Sequence, residues 1–397
     1  MRGYLLPVLS LALFCGGCGG PKGPSGAGPG HALTMHLGRV GHIQTTLPDG
    51  RVVVAGGFRN TRGLLPPANS DVEVFDPRSL TFHVVARMTT ARVLFTETAL
   101  ADGCVVLIGG SPTTTVDLFY PDTNTLEPGG EIADPRAAHS ATLLSDGRIL
   151  LVGGMREAVT FHDGGLHEER RSMKSIEAYD PRTQTSRLLG ASLNVPRQGH
   201  SATLLKDGRV LLIGGTWQKR TEIIDATNET VAWGPALDIP RGDHRATRLA
   251  DGRLLITGGT GPDGKSLDIA EIFDPETYRF RTLKARMNRQ REDHTADLLA
   301  DGRVLITGGE DNQAGPGGKD IVLDDVELFD PKAETFGKLP PLSVPRDDHR
   351  STVLADGSVL VTGGQDENDE GLSSAELVVV TPAKTVPVSV GATGSHR

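Results

Sequence analysis

Apolar residues in this chain come in short runs, and the runs come in pairs. In HSATLLSDGRILLVGG, residues 139–154, two such runs flank Ser-Asp-Gly. Glycine supplies the positive φ that a tight reversal needs, so the segment predicts a β-hairpin of two strands, a and b. A stretch of variable length follows. Then comes VEVFDP (72–77), IEAYDP (176–181), AEIFDP (270–275) or VELFDP (326–331), each predicting a third strand, c. Asp-Pro ends it, because proline fixes its own φ and drives its neighbour out of helical space. A fourth short strand, d, is expected beyond that turn. Helix formers do not gather into amphipathic stretches anywhere.

The unit recurs seven times as R-x-x-H-x6-D-G-x5-G-G. Its Asp-Gly pairs begin at Asp49, Asp102, Asp146, Asp207, Asp251, Asp301 and Asp356, and each Gly-Gly pair begins seven residues later. The arginines are Arg39, Arg92, Arg136, Arg197, Arg241, Arg291 and Arg346; an apolar residue precedes each by four positions. Six copies carry the histidine, and the second has Phe95 in its place. Every strand c holds one acid: Glu73, Asp117, Glu177, Glu222, Glu271, Glu327 or Glu376. Aromatics seven apart, such as Phe75/Phe82, Phe273/Phe280 and Phe329/Phe336, link strand c to strand d. Four antiparallel strands in about 50 residues make a propeller blade. The expected fold is all-β, one seven-bladed β-propeller of four-stranded antiparallel blades.

The Gly-Gly doublet after an apolar strand, with the aromatic pair downstream, resembles the Kelch repeat, also found in the galactose-oxidase-like propeller. The resemblance covers roughly residues 31–397. It departs from the family where strand d begins with Phe, Leu or Val instead of Trp, which implies thinner packing between blades. Blade 7 has strands a, b and c, but Thr385 stands where the strand-d aromatic is due. Val386–Val390 is the favoured fourth strand, and Ala32–Met35, joining from the N-terminus, is the alternative.

The first residues read as an address. Arg2 precedes the apolar segment Tyr4–Phe14, too short to span a bilayer as a helix and fitting a secretory signal. Cys15-Gly16-Gly17-Cys18 resembles a bacterial lipobox, with Cys18 the residue that would be lipidated and Cys15 where the family usually has Leu. More than one acyl chain gives stable anchoring. Residues 1–17 are thus expected to be signal, 18–30 a lipidated cysteine and Gly/Pro-rich tether, and 31–397 the propeller. The expected location is extracytoplasmic, at the outer membrane or surface of a bacterium, with a membrane reached through the lipid anchor.

The formal charge is −9, with both signs interspersed and no basic block, which excludes nucleic acid as a partner. Beyond Cys15 and Cys18 only Cys104 remains, and one thiol cannot build a disulfide framework. Residues present in every blade describe how the disk is built, since a reaction centre needs unlike groups. The repeated arginine and strand-c acid are therefore expected to pair, and the histidines to be structural although they head strand a near the channel. No cofactor or metal is expected. The loops from Gly308 and Gly363 are acidic but lack the D-x-[DN]-x-[DN]-G spacing of a calcium loop.

Where the blades differ is more informative. The residue before the histidine is Asp243, Asp293 and Asp348 in blades 5–7, and Arg245 and Arg350 follow it in blades 5 and 7. The d-to-a and b-to-c loops should open on one face, and the b-to-c loops are longest in blades 3, 6 and 1. An arc of Asp243, His244, Arg245, Asp293, His294, Asp348, His349 and Arg350 is the candidate contact for a polar ligand or partner. The function that fits is a protein- or glycan-binding module. The alternative is a carbohydrate-acting enzyme without copper-radical chemistry, since no Tyr precedes a His and Cys104 has no evident Tyr partner. G-x-S-x-G and H-E-x-x-H motifs are absent.

Overall fold

The computed structural model describes residues 33–60, 68–111, 113–162, 165–313 and 320–381, with side chains of 157–169 not described. Its strands form seven four-stranded antiparallel blades in a β-propeller. Blade 1 runs Ile43–Thr46, Val52–Ala55, Asp71–Asp76 and Thr81–Arg87, paired in that order. The same a-b-c-d order recurs in the blades whose first strands are Thr96–Ala99, Ser140–Leu143, His200–Leu204, Arg245–Arg248, Thr295–Leu298 and Arg350–Val353. Strands a neighbour one another around the axis.

Blade 7 corrects one expectation. Its fourth strand is Leu33–Thr34 from the N-terminus, with Leu33 opposite Ala375 and Thr34 opposite Ser374. Val386–Val390 lies outside the described residues. The repeat register supplies the reason. In blades 1, 2 and 4 the apolar residue four before the arginine directly follows strand d, and Met35 follows Leu33–Thr34 in the same way before Arg39. Leu33 and Met35 bury their side chains with Val52, Val54, Leu354 and Leu360, and the Met35 amide donates to Ser373 O at 2.8 Å.

The apolar core is divided among the blade interfaces. Val53, Ala55, Val72 and Val74 of blade 1 pack on Val105, Leu107 and Phe119 of blade 2, and six further clusters fill the remaining interfaces. Strand b contributes to both neighbours because it is apolar on both faces, as in Val52–Ala55, which is wholly buried. The aromatic pairs meet as expected, with ring centroids 4.8 Å apart for Phe75–Phe82 and 4.9 Å for Phe273–Phe280 and Phe329–Phe336.

Each repeated arginine is fully buried and pairs with the strand-c acid of its own blade, from 2.5 Å for Arg39–Glu73 to 3.1 Å for Arg136–Glu177; Arg92 pairs with Asp117. Its guanidinium also donates to the carbonyl of the first glycine of the doublet, as Arg241 does to Gly258 at 2.7 Å. The acid uses its remaining lone pairs on the connection from the preceding blade: Glu271 accepts from the Asp238 amide at 2.9 Å. Such a buried pair fixes geometry more than it adds stability.

The Gly-Gly doublet is where blades touch. The second glycine donates its amide to the carbonyl of the next blade's arginine at 2.8–3.0 Å in all seven interfaces. The first has no room for a side chain: a Cβ on Gly258 would sit 2.4 Å from Arg291 O and 2.8 Å from His294 Cε1. Both doublet positions also adopt positive φ.

Candidate functional site

Two residues after the repeated arginine the backbone is left-handed in all seven blades: Gly41, Leu94, Ala138, Gly199, Asp243, Asp293 and Asp348 have φ between 47° and 62°. Backbone bonds join neighbours in this ring. Leu94 donates to Gly41 O at 3.0 Å, Ala138 to Leu94 O at 2.8 Å, Asp243 to Gly199 O at 2.9 Å and Asp293 to Asp243 O at 3.3 Å. The ring frames one mouth of the central channel. Four members are Gly, Ala or Leu, and three consecutive ones are aspartates. Asp tolerates the left-handed region better than most residues, so the arc is affordable there. The Asp243 carboxylate lies over the neighbouring ring position, 2.1 Å from where a Cβ of Gly199 would be.

The long loops open on this same face. The residue after the repeated arginine bridges the residue after Gly-Gly in six blades, as Gly242 with Thr260, Glu292 with Glu310 and Asp347 with Gln365. In blade 3 the long b-to-c connection is a β-hairpin, Met155–His162 against the first half of Gly165–Asp180. In blade 6 Glu310–Asp311 pairs with Ile321–Val322. Trp217, 51% exposed, stands in the blade 4 loop.

The expected arc divides in two. Asp243, Asp293 and Asp348 are half-buried at the mouth, and Arg245 and Arg350 are half-buried one step further along strand a. His244, His294 and His349 are not with them. They are buried between blades, and the other three histidines behave alike. Each Nε2 meets a hydroxyl of the preceding blade: His244 with Ser201 at 2.9 Å, His294 with Thr257 at 2.8 Å, and His349 with Thr307 at 3.1 Å. Burial holds all six well below the usual imidazole range, His200 down to about 3. Phe95 fills the slot in blade 2 by packing in the blade 1–2 core.

Carboxyl groups missed by the sequence pattern complete the mouth. Glu292 and Asp347 directly follow Arg291 and Arg346, and Glu310 follows Gly308-Gly309. In other blades those positions hold Val40, Val93, Ala137, Gln198 and Gly242, or Phe58, Ser111, Met155, Thr216, Thr260 and Gln365. The change to acid in blades 6 and 7 was the available signal. Burial pushes Asp293 well up, with Asp348 and Asp243 adding to it. Burial pushes Glu292 to about 8, helped by Asp243 and Glu310, and Glu310 to about 7. Burial also pushes Asp347 well up, with Asp348 and Glu310 adding to it. Deeper in the channel, burial raises Glu97 to about 7 and Asp297 to about 6; Arg350 opposes the first, and Ser351 and Arg245 the second.

A Kelch motif family model matches residues 45–89, which spans strands a to d of blade 1. Among solved structures, a fungal alcohol oxidase of the AA5 family, in complex with copper, superposes with a TM-score of 0.71 at 18% identity, over 89% of this chain and 78% of that one. YjhT superposes with a TM-score of 0.58 at 15% identity, over 74% of this chain and 96% of its own. No curated protein matches the sequence. The chain thus carries a Kelch motif at residues 45–89 within a seven-bladed propeller, and the likeness to the oxidase is one of fold.

The copper of that oxidase does not carry over to these residues. Among the described residues no group of three or more His, Cys, Asp or Glu side chains is placed to hold a metal ion. The ring histidines have their Nε2 atoms on hydroxyls. Cys104 does have tyrosine neighbours, contrary to expectation: Tyr179 shares its cluster and Tyr120 packs against it. They lie by the Asp102-Gly103 turn, at the end of strand b opposite the Gly-Gly doublet and the histidines.

Proposed function

We propose that this protein is a binding module that engages a protein or glycan partner with its Gly-Gly face, held outside the cytoplasm by a lipid on Cys18. The observation that carries the reading is the asymmetry of the disk. Seven near-identical frames present one mouth where a left-handed aspartate arc, three long b-to-c loops and an exposed Trp217 gather, while the opposite face carries short Asp-Gly turns. Loop variation concentrated on one face of a repeat protein marks its binding side. An indole face and a carboxylate arc suit either a polypeptide or a sugar. The anchor rests on the signal-like segment before Cys18, which lies outside the described residues.

A photocrosslinking residue placed at Trp217 should trap a partner, and one placed at Asp146, on the opposite face, should not. Equal capture from both positions, or none from Trp217, would sink the reading. Asp293→Lys with Asp348→Lys should abolish the Trp217 capture.

One observation favours a second reading, a carbohydrate-acting enzyme: Glu310, held near neutrality beside Asp347, is a carboxyl pair able to hold and give up a proton. Activated aryl glycosides would be cleaved by the wild type and spared by Glu310→Gln. No cleavage by the wild type removes this reading.

A further inference from the structure

Glu292, Glu310 and Asp347 lie under the rim formed by Asp243, Asp293 and Asp348. We propose that these carboxyl groups together form a receptor for an organic cation, an ammonium or guanidinium group presented by the ligand of this face. The inference rests on the binding reading above and specifies its chemistry.

The argument begins with missing donors. Glu292 is 5% exposed. Its Oε1 accepts from Asn312 Nδ2 at 2.8 Å and Ser266 Oγ at 3.3 Å, but its Oε2 has no donor among the described residues. Asp347 is 3% exposed; its Oδ2 accepts from Gln365 Nε2 at 3.2 Å, and its Oδ1 has no donor among the described residues. In adjacent blade 5, on the bridge partner of Gly242, the Thr260 hydroxyl is also buried and unmatched. A buried acceptor without a donor carries its full desolvation cost. Here several such acceptors fall within one patch of three blades.

Charge tells the same story. The arginines that face these carboxyls are Arg245 and Arg350. Both already donate elsewhere: Arg245 Nε to His294 O at 2.5 Å and Arg350 Nη1 to His349 O at 3.4 Å. Arg289, in the same loops, faces Asp311 and Asp325 at 4.0 Å. Among the described residues these carboxyls outnumber the two arginines, and burial favours their neutral forms.

A metal ion is the poorer match. Hard divalent cations require about six to eight oxygens converging on one point, and no three of these carboxyls converge in that way. An ammonium carries three N–H donors and a guanidinium five, spread over a wider front. Such a group matches acceptors distributed along the edges of three blades, and carboxylate–guanidinium bonds are charge-assisted.

The test titrates the full chain with agmatine, with its uncharged analogue butylurea, and with calcium chloride, by calorimetry. Agmatine should bind and butylurea should not. Glu292→Gln and Asp347→Asn should each weaken agmatine binding by at least about tenfold, with melting temperature and circular dichroism retained. Should either buried variant fail to fold, Asp348→Asn at the half-exposed rim takes its place. Binding should also release protons, so the measured heat should change with the ionisation enthalpy of the buffer. A blocked hexapeptide containing arginine separates the sources: tighter binding than agmatine puts the cation on a polypeptide, weaker binding makes it a free amine, and both support the receptor. Equal response to agmatine and butylurea, no response to either, or displacement of agmatine by calcium overturns it. Trp217 crosslinking that persists under saturating agmatine overturns the cation receptor and leaves the binding face intact. Agmatine binding without any crosslinked partner overturns the binding face alone.

Discussion

The amide of Gly364, just past strand b of the last blade, donates to the carbonyl of Arg39 at the start of the first across 2.8 Å. It is the same bond that every doublet makes to the next blade, so the seam between the chain ends is built like the other six interfaces. The outer edge of that seam differs, since among the described residues Leu33 and Thr34 complete the blade.

Leu33→Pro should therefore cost about 3 kcal/mol or more, through a lost ladder bond and lost burial beside Ala375. Urea unfolding of the variant should show the loss. A midpoint like that of the wild type would mean that another segment closes the ring.

Arg241→Met strands Glu271 in a site that excludes water, with an expected loss of about 3–5 kcal/mol. Adding Glu271→Leu should recover much of it, because an apolar pair has no unmet charge. A double variant as unstable as the single one would show that the arginine acts through packing and its bond to Gly258 O rather than through the acid.

Two glycines with positive φ separate strain from crowding. A Cβ on Gly252 would stand in open space, whereas one on Gly258 would strike the Arg291 carbonyl. Gly252→Ala should cost about 1 kcal/mol for backbone strain alone, and Gly258→Ala clearly more. Equal losses in chemical denaturation would argue against the doublet as the contact between blades.

Stability should pass through a maximum with pH. Glu292 rises from 4.5 to about 8 on folding, so its stabilising contribution is full below the unfolded value and is lost as pH climbs towards 8. The buried histidines have the opposite effect. His200 falls from 6.5 to about 3, so its contribution is full above 6.5 and is lost as pH drops below that. Glu292→Gln should flatten the alkaline limb of melting temperature against pH and leave the acid limb unchanged; an unaltered alkaline limb would show that Glu292 is ionised in the folded state.

Burial, with Asp102 and Glu127 nearby, pushes the Cys104 thiol up to about 12. Iodoacetamide at pH 8 should leave Cys104 unmodified in the folded protein and alkylate it in urea, as read by peptide mass spectrometry. Rapid labelling without denaturant would mean that the blade 2–3 core opens readily.

The blades were legible in the sequence because each is defined by identities at fixed offsets: Asp-Gly, then Gly-Gly, with Arg39 and its counterparts upstream. The aspartate arc was legible for the opposite reason, as the place where those offsets hold unequal residues. Closure was not legible, because Met35 and the segment after Thr385 both present apolar residues and only three-dimensional register decides between them. The orientation of His244 and its siblings was also hidden. At the head of strand a a side chain turns either to the channel or to the neighbouring blade, and the space left by the preceding blade's first glycine admits the imidazole. Glu292 and Glu310 escaped notice because they meet through an isolated bridge beside a two-residue strand, too short for alternation to give a signal.

The two-residue strand Leu33–Thr34 gives the disk a mechanical polarity. Any pull on the chain ahead of Leu33 reaches the described fold first at this short strand, with two register pairs and the Met35 amide to resist it. Under such tension blade 7 gives way first, and with it Asp347 and Asp348 of the acidic mouth.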